Sequence, residues 1–218
     1  MTKQHIRIEM IHDIICSWCP IGYRNIKFAL AEFESQLEVE FRFLPYELNP
    51  EMPAEGERID VHLKRRNDWN DEQFLRYRDD LVNRAGRAGL DYDFGKRTHY
   101  WNTASAHKLL HLAEKFDKQL EMNEALIAQY FTNGVDVSDT ENLVAIAATV
   151  GVDRELVLSA LSSPQVAEQM AAKYARVQGF DLQSVPTLVV NNSDVLRGSN
   201  SIEFFVNYIA DYLSNVAA

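Results

Sequence analysis

Cysteine is scarce in this chain: there are two in 218 residues, and both stand in one tetrapeptide, Cys16-Ser17-Trp18-Cys19. A structural zinc site needs four ligands, and with no second cysteine pair His5 and His12 would have to complete the set, so a metal role is disfavoured. Positive charge is also in deficit, with 22 Lys and Arg against 32 Asp and Glu and a net charge of -10 at pH 7. Attraction to nucleic-acid phosphates or anionic lipid is therefore disfavoured. The short basic run Lys64-Arg65-Arg66 reads as a solvated helix face. No apolar run reaches the roughly 18 residues of a membrane span, and neither repeats nor low-complexity stretches interrupt the sequence. Met1-Thr2-Lys3-Gln4-His5 lacks the basic and apolar regions of a secretory signal, which makes the cytoplasm the expected compartment. In that reducing setting a two-cysteine motif is catalytic or redox-sensing rather than a structural staple.

What is present is an ordinary globular composition, 46% hydrophobic and 25% charged, sufficient for one large domain or one domain carrying an insertion. The two cysteines lie between an alternating segment at 6–10 and a segment at 21–33 with helical spacing at Ile26, Leu30 and Phe33. Such a C-x-x-C reads as a thioredoxin-like redox motif. A thiol attacks a disulfide as thiolate; an ordinary cysteine, near pKa ~8.5, is mostly protonated at neutral pH, but one at a helix N-terminus falls to roughly 3.5–7.5. The spacing places Cys16 at that positive end as the attacking thiol and Cys19 one turn deeper as the resolving thiol. Ser17 offers a hydroxyl and an N–H, and Trp18 an apolar plate, but neither brings a full positive charge. A couple less oxidising than one with histidine between its cysteines is expected. Pro20 is tolerable because the first helical turn has few internal hydrogen bonds to lose.

A second strand is expected at 39–43, ending at Pro45, which makes the opening β-α-β. From about residue 60 to 177 the pattern turns helical, with stripes Phe74, Tyr77, Leu81, Ala85 and Leu109, Leu110, Ala113, Phe116. Ser138 with Glu141 reads as a capping box, Gly151 as a stop, and Ser163-Pro164 as the start of a helix that Gly179 closes, giving at least five helices. The β signal returns at 186–190, followed by the turn Asn191-Asn192-Ser193-Asp194, a short strand at 195–197 and a final helix carrying Ile202, Phe205, Val206, Ile209 and Leu213. His107 and His111 are four apart on a helix, but H-E-x-x-H needs glutamate where Lys108 stands, so both read as structural. Tyr92, Phe94, Tyr100 and Trp101 read as core.

This order, with C-x-x-C at the first helix, resembles the thioredoxin fold, and the helical block between its halves resembles the DsbA-like branch. Asp13-Ile14-Ile15-Cys16-Ser17-Trp18-Cys19-Pro20-Ile21-Gly22, Pro45-Tyr46-Glu47-Leu48-Asn49-Pro50, Asn102-Thr103-Ala104-Ser105-Ala106-His107 and Val185-Pro186-Thr187 resemble the FrnE-like subgroup of that family. The resemblance implies an α/β fold with a discontinuous thioredoxin-like domain, 1–55 and 178–218, and a helical insertion domain, 56–177. It also implies that Val185-Pro186 is a cis bond facing the dithiol, baring the Val185 backbone for an extended substrate. Asn102 and His107 would border the groove, though Asn102 reads equally as a helix cap. Relatives often carry proline between the cysteines and an aromatic residue after the second, where this chain has Ser17 and Pro20.

The leading expectation is a thiol-disulfide oxidoreductase acting on a protein or small-molecule thiol or disulfide. Cys16 and Cys19 would be catalytic; Ser17, Trp18, Val185, Pro186, Asn102, His107, Ser199 and Asn200 would bind substrate. No metal and no tightly bound cofactor are expected, glutathione is a candidate co-substrate, and the assembly is a monomer or homodimer. Gly198-Ser199-Asn200 resembles the Gly-Ser-Asp segment that holds glutathione in kappa-type glutathione transferases and 2-hydroxychromene-2-carboxylate isomerases. A transferase or isomerase of that type is the alternative, although those enzymes generally carry serine at the position of Cys16. A third reading is a redox-sensing or chaperone-like binding module.

Overall fold

The computed structural model describes residues 2–180 and 182–216. Positions 1, 181, 217 and 218, which fall within the ranges 1–55 and 178–218, lie outside the described residues. The alternating N-terminal segment becomes β1 (Gln4–His12), and a helix, α1 (Cys19–Glu32), carries the chain to β2 (Leu37–Pro45), which pairs in parallel with β1. After the helical block, β5 (Thr187–Val190) pairs antiparallel with β1 and turns into β6 (Asp194–Arg197), giving the order β2-β1-β5-β6. The turn between β5 and β6 puts Asn191 and Asn192 at φ 47° and 61°, a left-handed conformation that asparagine tolerates better than most residues.

β1 is buried on both faces because it is central. Ile6, Ile8 and Met10 share the main core with Ile26 and Ala29 of α1 and with Phe205 and Ile209 of the last helix, α9 (Ile202–Val216). On the other face Ile11 joins Leu44, Val189 and Val177. Each such fully buried large side chain contributes roughly 1.5–3 kcal/mol of transfer free energy.

Between the two halves run β3 (Glu57–Arg58), α2 (Ile59–Asn67), α3 (Asp71–Arg87), β4 (His99–Tyr100), α4 (Ala104–Glu114), α5 (Gln119–Ile127), a π-helical turn (Ala128–Thr132), α6 (Thr140–Thr149), α7 (Arg154–Ser162) and α8 (Pro164–Gln178). β3 and β4 form a two-stranded sheet that helical periodicity does not reveal, since each strand holds two residues. Two expectations are corrected and one feature is added. α6 is capped not by a Ser138/Glu141 box but by Asp139, whose carboxylate accepts from Asn142 N–H at 2.9 Å, while the Ser138 hydroxyl donates to Asp136. Phe116 lies beyond the end of α4 at Glu114 and is 44% exposed, so it does not extend the buried stripe. α3 opens with a true capping box, Asn70 with Gln73, that the sequence reading does not single out. Among the described residues no helix is long and apolar enough to cross a membrane.

Candidate active site

The tetrapeptide occupies the turn leaving β1. Cys16 N–H donates to the Asp13 carbonyl at 3.1 Å, Cys19 N–H to the Cys16 carbonyl at 3.2 Å, and Gly22 N–H to the Trp18 carbonyl at 3.0 Å. Trp18 is the N-cap and Cys19 the first helical residue, so Cys16 lies in the turn two residues ahead of the cap rather than at the helix N-terminus itself. Pro20 follows within the first turn, where its missing N–H leaves no intrahelical bond unmade. Both thiols are free. Cys16 is 5% exposed and Cys19 1%. Burial, followed by the hydrogen bond and charge shared with Cys16, pushes the Cys19 thiol well above its ordinary value.

The returning strand meets the dithiol from one side. The Val185–Pro186 bond is cis, and the Cys16 thiol donates to the Val185 carbonyl at 3.8 Å. Val185 packs, as do Tyr46, Phe180 and Leu182, against the cluster of Ile11, Leu44, Val177 and Val189. Tyr46, Phe180 and Leu182, with Pro45, Glu47 and Tyr174, line a cleft of about 790 Å³.

From the opposite side the helical block grips the turn. Tyr92 Oη donates to the Ser17 carbonyl at 2.9 Å. Arg97 Nη2 donates to the Ile15 carbonyl at 3.2 Å and to Ser17 Oγ at 3.1 Å. Its guanidinium carbon lies 4.4–5.6 Å from the ring centres of Phe94, Tyr100, Tyr130 and Phe131. The last two rings come from the π-helical turn. Arg97 brings a buried guanidinium against the residues on either side of Cys16, a positive charge that the tetrapeptide itself lacks. The block is thus part of the site, not only a lid beside it.

A DSBA-like thioredoxin domain model matches residues 7–210. The chain belongs to that family. A Streptomyces coelicolor protein described as a probable DsbA oxidoreductase is 28% identical, with a TM-score of 0.88 over 95% of this chain and 89% of that one. The Bacillus subtilis protein YwbO is 24% identical over 208 residues, 94% of this chain and 96% of YwbO. The cytosolic disulfide reductase DsbM of Pseudomonas aeruginosa, solved with GSH, shares 13% identity with a TM-score of 0.65, each chain being covered to 97%. At that identity the likeness to DsbM concerns the fold.

Within this DsbA-like frame the other candidate residues fall in four places. Trp18 and Ser199 line a second cleft, of about 460 Å³, with Ile21, Asn25, Arg84 and Arg87. Asn200 is turned onto its own loop: its amide donates to the Arg197 carbonyl at 3.0 Å, and its carbonyl accepts from Asn25 at 2.8 Å. Asn102 sits one residue before the N-cap of α4, accepting from Ala104 N–H at 3.0 Å and donating to the Pro50 carbonyl at 3.1 Å. His107 is 3% exposed and lies beneath the turn, with Nε2 3.1 Å from the Tyr46 carbonyl and 3.5 Å from Asp13 Oδ1. His111 Nε2 meets Gln169 Oε1 at 2.7 Å. Among the described residues no group of three or more His, Cys, Asp and Glu side chains is placed to hold a metal.

Sequence reasoning did not single out Asp13, His12 or Arg97 as site residues. Asp13 is fully buried and accepts from Leu48 N–H at 2.7 Å, so it ties the dithiol turn to the segment after β2. His12 is held well below its ordinary value, by burial first and by the neighbouring His107 second. It stays neutral against Phe43, 4.6 Å between ring centres.

Proposed function

We propose that this DsbA-like protein is a thiol-disulfide oxidoreductase in which Cys16 attacks and Cys19 resolves. One observation carries the reading: the Cys16 sulfur, 5% exposed, lies 3.8 Å from the Val185 carbonyl, next to the still deeper Cys19 whose thiol is held protonated. An extended substrate pairing with the Val185 backbone would bring its own disulfide to Cys16. The Cys16 thiolate attacks one substrate sulfur, the Cys16–substrate bond forms as the substrate disulfide breaks, and the departing thiolate takes a proton. Cys19 then gives up its proton and attacks Cys16 Sγ. The Cys16–Cys19 disulfide forms, the second substrate thiolate leaves, and the substrate has gained the two electrons the dithiol lost. Run backwards, the same steps oxidise a dithiol.

The cytoplasm is the proposed compartment, and a small thiol such as glutathione the proposed partner that resets the pair. The cleft holding Trp18 and Ser199 supports that choice, being adjacent to the dithiol and open to a small molecule. It also supports the second reading, a glutathione-dependent transferase or isomerase.

Cysteine variants separate these readings. Cys16→Ala is expected to abolish exchange with a protein disulfide, and Cys19→Ala to accumulate mixed disulfides because the first attack survives while release does not. Full transferase activity in Cys19→Ala, with no disulfide exchange by the parent, would favour the second reading. A chaperone-like module would keep its main activity with both cysteines replaced.

A further inference from the structure

Arg97 is the most unusual buried group in the molecule. It is 1% exposed, and Nε and Nη1 make no hydrogen bond. Among the described residues no carboxylate forms an ion pair with it; its neighbours are aromatic rings and the backbone of the dithiol turn. Burying a cation is costly unless a partner compensates, and ring faces recover only part of that cost. Burial opposes the charge here, but a guanidinium does not give up its proton inside a protein, so Arg97 stays charged. A cation kept in such a place favours whatever anion forms beside it.

The anion available is the sulfur of reduced Cys16. Arg97 grips the residues on both sides of it, Ile15 and Ser17. Tyr92, whose hydroxyl donates to the Ser17 carbonyl beside the sulfur, stacks on Phe131, and the Phe131 ring centre lies 4.4 Å from the Arg97 guanidinium, so one aromatic wall encloses the cation and the dithiol turn.

We propose that Arg97 is a positioning residue for charge: it stabilises the Cys16 thiolate of the reduced dithiol and so makes the Cys16–Cys19 disulfide a stronger oxidant. The assignment rests on the dithiol reading above. A couple becomes more oxidising when its reduced form is stabilised. Written with glutathione as reductant, the enzyme disulfide and two glutathione thiols give one Cys16 thiolate, one Cys19 thiol, glutathione disulfide and one proton. The two glutathione sulfurs lose the two electrons that the enzyme disulfide gains. Because one proton is released, the equilibrium constant rises about tenfold per pH unit while Cys16 is a thiolate, and would be flat were both cysteines neutral.

Other groups facing the sulfur do not supply this slope. Burial raises Cys19, Tyr77, Tyr92 and Tyr100 above their ordinary values and Tyr130 to about 12. Asp13 lies close enough to act on Cys19 and Tyr130 as a negative charge, which opposes a thiolate rather than supplying one; it faces His107, and His12 is held neutral.

The test equilibrates the full-length protein with reduced and oxidised glutathione from pH 6 to 8 and reads the redox state by thiol trapping. In the parent the constant should climb about tenfold per pH unit. In Arg97→Met it should fall at least about tenfold at pH 7, about 30 mV, and lose its slope. Arg97→Lys keeps a cation while losing the guanidinium fork, and should stay within about threefold of the parent. The assignment is overturned if folded Arg97→Met keeps the parent's constant and slope, or if folded Arg97→Lys falls as far as Arg97→Met. It is also overturned by a pH-independent constant in the parent, a result that needs no variant to fold. No exchange at all in the parent would overturn the dithiol reading with it, whereas ordinary exchange with an unchanged Arg97→Met removes only the role of Arg97.

Discussion

At the scale of single residues, the turn that holds the dithiol depends on donors brought from far along the chain. The Ser17 carbonyl is reached by Tyr92 Oη at 2.9 Å across 75 positions, in a buried setting. Removing that hydroxyl leaves a buried acceptor without its donor, which costs about 1–3 kcal/mol. Tyr92→Phe should therefore lower the urea midpoint with the slope unchanged; a midpoint equal to the parent's would mean that Tyr92 does not anchor the turn. The cysteine pair was legible in the sequence because its chemistry lies in two neighbouring residues with fixed spacing. Arg97 was not, because it joins Ser17 across 80 positions and a lone arginine is usually solvated. The available signal was its place inside the segment carrying Tyr92, Phe94 and Tyr100, which reads as core and leaves a guanidinium little room for water. His107 is a buried residue of a helix, as its spacing implies, but periodicity does not say that Asp13 and Tyr46 stand against it.

At the scale of elements, the contact that matters most is between α1 and the loops flanking β5 and β6. A Cβ at Gly22 would lie 2.9 Å from Pro186 Cγ and 3.3 Å from Ser199 Cα. Glycine lets the first turn of α1 approach the segment that faces Cys16. Alanine would gain about 1 kcal/mol of helix propensity but would force a ring and a backbone apart, at a cost of roughly 1–3 kcal/mol. Gly22→Ala should accordingly be less stable by about 1 kcal/mol and should slow disulfide exchange severalfold as the Val185 carbonyl moves off the sulfur. Thermal unfolding and exchange kinetics check this, and a more stable variant with the parent's rate would refute it. The outer elements were readable because alternation in β1, β2 and β5 and the stripe of α9 answer to burial in one core. β3 and β4 were not, since two residues carry no period, and the cap of α6 was missed by one position because Asp139 competes with Ser138 for the same role.

At the scale of the whole molecule, the sheet and the helical block are clamped at Glu114. This residue of α4 pairs with Arg42 of β2 at 3.1 Å and with Lys173 of α8, and His111 stands on the same helix 3.7 Å away. The neighbouring His111, then the hydrogen bond from Lys173 and the charges of Lys173 and Arg42, hold its carboxyl at about 2 against the opposing effect of burial. A folded value below the unfolded one, ~4.3 for glutamate, means that the stabilisation is fully present above that unfolded value. It is lost as pH falls toward about 2, where the folded protein protonates too. The site is only half-buried, so solvent screening reduces the contribution to roughly 1–2 kcal/mol. Glu114→Gln should therefore unfold at lower urea than the parent at pH 7, by about that amount, with the difference shrinking steadily below about pH 4. A difference that stays constant from neutral pH down to about 2.5 would mean that the ionised carboxylate does not tie the sheet to the helices, and that the clamp is one of shape alone.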